Sequence, residues 1–300
     1  MRKKQEKESW KPVYITPAYR VFTIVNNILL IILALLCVTP FIHIVAVSFS
    51  DAASTSAGTV GLWPKGFQLD AYIKVLKDPS VYKAFGITLL RMVLGTAYSM
   101  IVTVCAAYPL SYDKDEFPGR RFFVVFFFIA MIFNGGIIPY YLLIKELNLL
   151  NTIWALVIGT VPIGNVIILM NFFRTLPKGL REAAEMDGAS HWHILTRIYL
   201  PLSKPSLATL AMLCLIGHWN DWFGGLIYMQ DMDKYPLQTY IYNAMQSTST
   251  FTDAVSGADV APRQAVIAAL IAISIIPVII VFPILQKHVK DGMVIGAIKE

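Results

Sequence analysis

Charge is scarce in this chain. Of its 300 residues, 15% are Asp, Glu, Lys or Arg, whereas a soluble domain carries about 25%. The deficit excludes a water-soluble globular protein. Cysteine is sparse as well. Cys37, Cys105 and Cys214 each sit inside an apolar run, where they read as small hydrophobes rather than as a disulfide framework or a thiolate metal site. A G-x-x-x-x-G-K-[ST] phosphate loop is missing, and so is any cytoplasmic segment long enough to house one, so the sequence offers no seat for ATP chemistry. The formal net charge is +6, but the basic residues are spread over loops and the N-terminus and form no nucleic-acid patch.

What the chain has in excess is apolar length. Hydrophobic residues make up 56% of it, gathered in runs of roughly 20, the length that crosses about 30 Å of hydrocarbon as a helix. Six spans are expected, near 21–46, 85–110, 122–143, 152–172, 206–228 and 265–285. Runs of this length lack the ten-residue alternation of a membrane barrel, so the fold class is an all-α integral membrane protein. The first run is too long for a signal-peptide core and has no small-x-small cleavage site, so it reads as a retained span. Assigning loops alternately, one side holds seventeen Lys and Arg and the other seven. The richer side, with both termini, is expected in the cytoplasm. This divides the chain into a cytoplasmic N-terminal segment (1–20), a six-span domain (21–285) with a cytoplasmic insert at 174–204, and a cytoplasmic tail (286–300). The external stretch QSTSTFTDAVSGAD reads as irregular and solvated, and FNGGIIPYY (133–141) as a bend or close helix contact in the third span.

The insert is the one charged interruption, EAAEMDGASHWHILTRIYLP at 182–201. Pro177 can open a helix, and the residues to Met186 favour one. Leu180, Ala183, Ala184 and Asp187 fall on one small face, with Glu182 and Glu185 to its sides. Gly188 ends the helix and Ser190 caps a second, in which Trp192, Leu195 and Ile198 supply an apolar stripe. Pro201 and Pro205 punctuate the approach to the fifth span. Two short angled helices at the membrane surface result. By spacing alone they fit an interfacial loop packed under the bundle and a docking element for another protein equally well.

The pattern Glu182-Ala183-Ala184, Asp187-Gly188, Ile198 and Leu200-Pro201 resembles the cytoplasmic signature of binding-protein-dependent ATP-binding-cassette importer permeases. AAYPLSYD (106–113), GGIIPYYLLIKELNLLNTIWALV (135–157), WNDWF (219–223) and DGMVIGAIKE (291–300) agree with its carbohydrate branch, most closely the subfamily for oligosaccharides and aldouronates. The resemblance implies a type I importer permease whose coupling helix docks into a cleft on a cytoplasmic ATPase, with Glu182 meeting polar ATPase groups, Ala183 and Ala184 giving close approach, Gly188 the sharp turn, and Leu200-Pro201 the tie to the fifth span. It implies further a second, similar permease, two ATPase subunits that bind the ATP and Mg, an extracellular solute-binding protein, a carbohydrate substrate and a bacterial cell membrane. The chain itself would hold no cofactor and catalyse no reaction.

An ion-coupled carrier or channel stays open as the alternative. Such proteins place carboxylates or histidines in the membrane as relays, but here only Arg91, Asp221, His43 and His218 lie near membrane depth, with no chain of carboxylates. His191 and His193 lack a third metal ligand. For a substrate path the best candidates are Trp219, Asn220, Asp221 and Trp222, the tryptophans three apart and so expected on one helical face, with Tyr228, and more weakly Tyr140 and Tyr141, beside them.

Overall fold

The computed structural model describes residues 17–133, 135–158, 162–246 and 263–297. Among these residues every apolar run is helical and no strand occurs. The long helices are α1 (Pro17–Ser48), α2 (Pro79–Ser111), α3 (Arg120–Ile132), α4 (Ile137–Glu146) and α5 (Ile163–Thr175). They are followed by α6 (Lys178–Met186), α7 (His191–Leu202), α8 (Lys204–Asn220), α9 (Phe223–Tyr228), α10 (Leu237–Gln246) and α11 (Arg263–Ala297). The stretch 246–259, expected to be irregular and external, lies outside the described residues, apart from Gln246, as do the first sixteen residues and the last three.

Three of the expected spans are single helices: α1, α2 and α11. The others are broken, which sequence hydropathy does not reveal. The third is α3 and α4, bent by more than 40° at the glycine pair, where Gly136 takes φ +83°; the bend expected from FNGG is there. The fourth is the short helix Ile153–Val157 and then α5. The fifth ends as a helix at Asn220, because Asp221 turns extended and α9 starts afresh at Phe223. Among the described residues, length and composition alone give three crossing helices, or five if the bent pairs α3–α4 and α7–α8 each count as one span. α11 also continues to Ala297, so the expected tail is helical over 286–297. Prolines 40, 109, 277 and 283 lie inside helices, which membrane packing tolerates.

The bundle is organised around α2, which packs on α5 and α8, while α11 packs on α1 and α8. The buried face of α2 is Ala84, Thr88, Arg91, Gly95, Ser99, Thr103 and Ala107, small or polar residues recurring every three or four positions. Leu89, Leu90, Val93 and Ile101 face outward. The order is inverted relative to a soluble helix, because lipid supplies no drive to bury leucine and small residues let backbones approach. At Gly95 the His218 ring of α8 fills the space a Cβ would need. Thr88, 1% exposed, accepts the Leu237 N–H at 2.7 Å and so fixes the start of α10.

The Thr88 contact can be tested on its own. Thr88→Val keeps the shape but leaves a buried N–H without a partner, at a cost of about 1–3 kcal/mol. Thermal unfolding in detergent is expected to move down for Thr88→Val and to stay near the native value for Thr88→Ser.

Candidate functional site

The insert folds as the expected elbow, and a residue the sequence reading passed over holds it. Arg181, in the middle of α6, is 4% exposed. Its guanidinium pairs with Glu116 of the loop after α2, lies 3.5 Å from Glu185 one turn on, and stacks over the Tyr112 ring at 4.4 Å. A guanidinium suits this place because its planar fork serves a carboxylate and its face serves an aromatic ring. Asp113 of the same loop binds Lys178 and stands 3.8 Å from Arg174. Tyr112 continues the network inward: its hydroxyl meets that of Tyr108 at 2.6 Å and His191 Nδ1 at 3.2 Å. Burial and then the Tyr108 hydroxyl push the Tyr112 phenol far above its ordinary pKa, so it stays protonated. Edge-on aromatic contacts at 5.2 Å run from Tyr108 to Tyr199 and on to Phe173, joining α2, α7 and α5 beneath the elbow.

The turn between the two helices is a complete Schellman motif. Gly188 donates to the Glu185 carbonyl at 3.0 Å and Ala189 to that of Ala184 at 2.9 Å, with Gly188 at φ +78°. A Cβ there would meet nothing within 4 Å, so glycine is needed for its backbone conformation and not for space. Ser190 caps α7 by accepting the His193 N–H at 3.3 Å, as expected. α7 then widens into a π-turn at Leu195–Tyr199, and the chain bends by 82° at Ser203 into α8.

This geometry revises the expected faces. Glu182, Ala183, Asp187 and Gly188 are exposed, but Ala184 is half-buried against the chain's own core and so lies on the inner face with Arg181. The exposed surface is Leu180, Glu182, Ala183, Met186 and Trp192, with Met186 at 88% and Trp192 at 69%. The apolar stripe of α7 is not uniformly buried: Leu195 is buried and Ile198 half-buried, but Trp192 is exposed. Leu200 is half-buried and Pro201 exposed, and the hinge falls one residue past Leu202. The acidic loop that binds Arg181 could have been found by charge, since Asp113 and Glu116 face Arg174, Lys178 and Arg181.

The second set of candidates lies where the fifth span breaks. The shared face expected for Trp219 and Trp222 does not form, because the helix ends between them. Trp219 is 4% exposed and packs edge-on to Phe85 at 6.0 Å, while Trp222 stacks on Tyr242 at 4.2 Å. Asn220 donates to the Ile216 carbonyl at 3.0 Å. Asp221 forms an ion pair with Arg91, its carbonyl accepts from Arg91 Nη1 at 3.0 Å, and its Oδ1 accepts the Gly224 N–H at 3.0 Å, capping α9. Arg91 and Asp221 line a cavity of about 440 Å³ with Tyr140 and Tyr228, whose rings meet edge-on at 5.8 Å, and Tyr141 lies over Tyr228 at 6.5 Å. Cys214 is buried and accepts from Asn165 at 3.3 Å, while Cys37 and Cys105 are exposed on their helices rather than in the core.

Arg181→Ala leaves two carboxylates without their cation and is expected to cost about 2–3 kcal/mol in thermal unfolding, at the low end for a buried pair because its partners are partly solvated. Arg181→Lys, without the fork, recovers less than half of that. The Asp113–Lys178 bridge has a defined pH window. Lys178 holds the Asp113 carboxyl below its ordinary 3.8, and Asp113 raises Lys178 above its ordinary 10.5. The stabilisation is present between those values, fades in acid as pH falls through the depressed Asp113 value, and fades in base as pH rises through the raised Lys178 value. A pH series of the melting temperature, native against Lys178→Met, reads this window.

Residues 121–295 match the family described as "Binding-protein-dependent transport system inner membrane component". Protein LplC of Bacillus subtilis (strain 168) is 38% identical over 95% of this chain and 97% of its own length. The polygalacturonan/rhamnogalacturonan transport system permease protein YtcP of the same organism is 35% identical, over 93% of this chain and 99% of its own. Among solved structures, a chain of a bacterial ABC transporter involved in the import of the acidic polysaccharide alginate superposes with TM-score 0.83 at 36% identity, covering 92% of this chain and 99% of that one. The helical elbow, the broken spans and these matches agree that the chain belongs to the family of inner membrane components of binding-protein-dependent transport systems, with the type I ATP-binding-cassette importer permease fold.

Proposed function

We propose that this chain is the transmembrane permease subunit of an ATP-driven importer for a carbohydrate, of oligosaccharide size. The observation that carries the coupling role is the elbow: an exposed face of mixed apolar and acidic character, Leu180, Glu182, Met186 and Trp192, on a base locked by the Arg181 network. An exposed apolar patch of this kind rimmed by charge marks a protein contact. The partner would be a cytoplasmic ATPase subunit that binds the ATP and Mg; a second copy of that subunit, a second permease and an extracellular solute-binding protein complete the assembly. This chain contributes no catalysis. Both termini and the 174–204 segment lie in the cytoplasm in this reading, which the basic-residue excess supports. The carbohydrate assignment is supported by relatives named for polygalacturonan/rhamnogalacturonan and alginate.

In mechanical terms, closure of the ATPase pair displaces the docked elbow. The Arg181–Glu116 and Lys178–Asp113 pairs pass that displacement to the inner end of α2, and the bend at Ser203 passes it to α8. Alternating access follows if α2 and α8 then shift relative to the outer cavity. The substrate is read to pass Asp221, Trp222 and Tyr228, with Asn220 at the same break. Trp219 supports that path through packing. The two charges at membrane depth, Arg91 and Asp221, are spent on each other, which disfavours an ion relay.

Glu182→Lys reverses the charge of the docking face, and Gly188→Val forces a β-branched residue into φ near +78°, a strain of about 1–3 kcal/mol at the turn. In the reconstituted complex both are expected to cut ATP hydrolysis stimulated by the loaded binding protein at least tenfold while the subunits still co-purify. Undiminished stimulation and uptake in both variants would rule out the coupling role.

A further inference from the structure

A second cavity, of about 760 Å³, lies behind the elbow. It follows the end of α2 from Cys105 to Tyr112, about 10 Å of helix, and the start of α7 and the loop after α2 close it. Its two ends differ in chemistry. At one end Cys105 and Pro109 are exposed within a membrane-spanning helix, with Leu195 opposite. At the other end stand Glu116 and Glu185. Among the described residues that line the cavity these two are the acidic ones, and none is Lys or Arg. Both carboxylates draw on a single guanidinium, that of Arg181, while Lys178 is taken by Asp113. The sharing is unequal. Glu116 binds Arg181 Nη2 directly, whereas Glu185 stands 3.5 Å from Nε, which makes no hydrogen bond. Both carboxyl side chains are 39% exposed, so their oxygens are within reach of a ligand. A carboxylate short of a cation, beside an aromatic face, suits an ammonium group. The Tyr112 ring already carries Arg181; Trp192 at the rim, 69% exposed, offers an open face. A free amine would use only this polar end. The apolar end opens at hydrocarbon depth and suits an acyl chain. An anionic lipid would set its phosphate against two carboxylates with no cation in the wall.

We infer that this cavity binds a lipid of the adjoining leaflet whose head group ends in an ammonium, an aminophospholipid. The ammonium lies between Glu185 and Trp192, with Glu116 behind it, and the upper part of a chain lies along Cys105 and Leu195. The phosphate stays at the mouth, in the head-group layer. The site goes beyond the importer reading and does not depend on it.

The test uses the full-length chain in detergent, with the subunits that co-purify, after its lipid has been removed. A small maleimide labels the thiols in the presence of phosphatidylethanolamine, phosphatidylglycerol or soluble glycerophosphoethanolamine, and labelling is read peptide by peptide. Cys105 lines the cavity, and Cys37, exposed on α1, is the internal control. Phosphatidylethanolamine is expected to slow labelling of Cys105 about fivefold and to leave Cys37 unchanged. The other two compounds, at the same concentration, are expected to slow neither. Glu185→Gln keeps the side-chain shape and the Arg181–Glu116 pair. It is expected to raise the phosphatidylethanolamine concentration needed about tenfold, the equivalent of about 1.4 kcal/mol. Trp192→Leu alters an exposed side chain, is expected to raise it about threefold, and serves if Glu185→Gln does not fold. Equal slowing by phosphatidylglycerol, slowing that neither variant changes, or no slowing at all overturns the site. Equal slowing by glycerophosphoethanolamine overturns the lipid as its occupant.

Discussion

The elbow depends on one buried cation. Without Arg181, α6 would be a short amphipathic helix held to the bundle chiefly through Ala184 and the surface Lys178–Asp113 bridge. Nine residues make too short a helix to persist by itself, and its outer face is exposed. Arg181 converts it into a rigid part by meeting three groups at once: Glu116 and Tyr112 from the end of α2, and Glu185 from its own helix. Burying a guanidinium is costly, and only this full set of partners offsets the cost. The end of α2, the loop after it and the elbow are thereby joined through buried contacts.

α2 carries the consequence across the membrane. From Arg91 to Ser111 is about 30 Å along a helix, so one helix has the Arg91–Asp221 cavity at one level and the Arg181 network at the other. Its buried face of Thr, Ser, Gly and Ala allows α5 and α8 to lie close, yet forms few of the interlocking contacts that large side chains would make. Such a surface suits sliding. The fixed points are the ion pairs at its two levels, and a change in α6 reaches the cavity through the helix between them. In the proposed importer this is the route from nucleotide to substrate.

Much of this was legible beforehand. The apolar runs gave the helical membrane fold, since unpaired backbone cannot survive in hydrocarbon. Gly188 and Ser190 announced the turn and cap, because those roles are local and depend on a single residue's φ or hydroxyl. Other readings went astray where distance along the chain mattered. The tryptophans of WNDWF look like one face only if the helix continues, and it stops because Asp221 is recruited by an arginine 130 residues earlier. Ala184 looked like part of a docking face, but α6 is rolled so that Arg181 and Ala184 point inward. The breaks in the fourth and fifth spans were hidden because hydropathy averages over a turn, whereas the glycine pair did announce the bend in the third.

The sequence by itself determined everything set by composition and short-range chemistry: a membrane bundle, its charged insert, and the helix–glycine–helix form of that insert. Only the tertiary structure decided which charges find each other, and hence which faces stay free. Arg181 against Glu116 and Arg91 against Asp221 join segments that are remote in sequence. At membrane depth an ionised group must find a partner wherever the fold brings one, and no local pattern specifies which one that is.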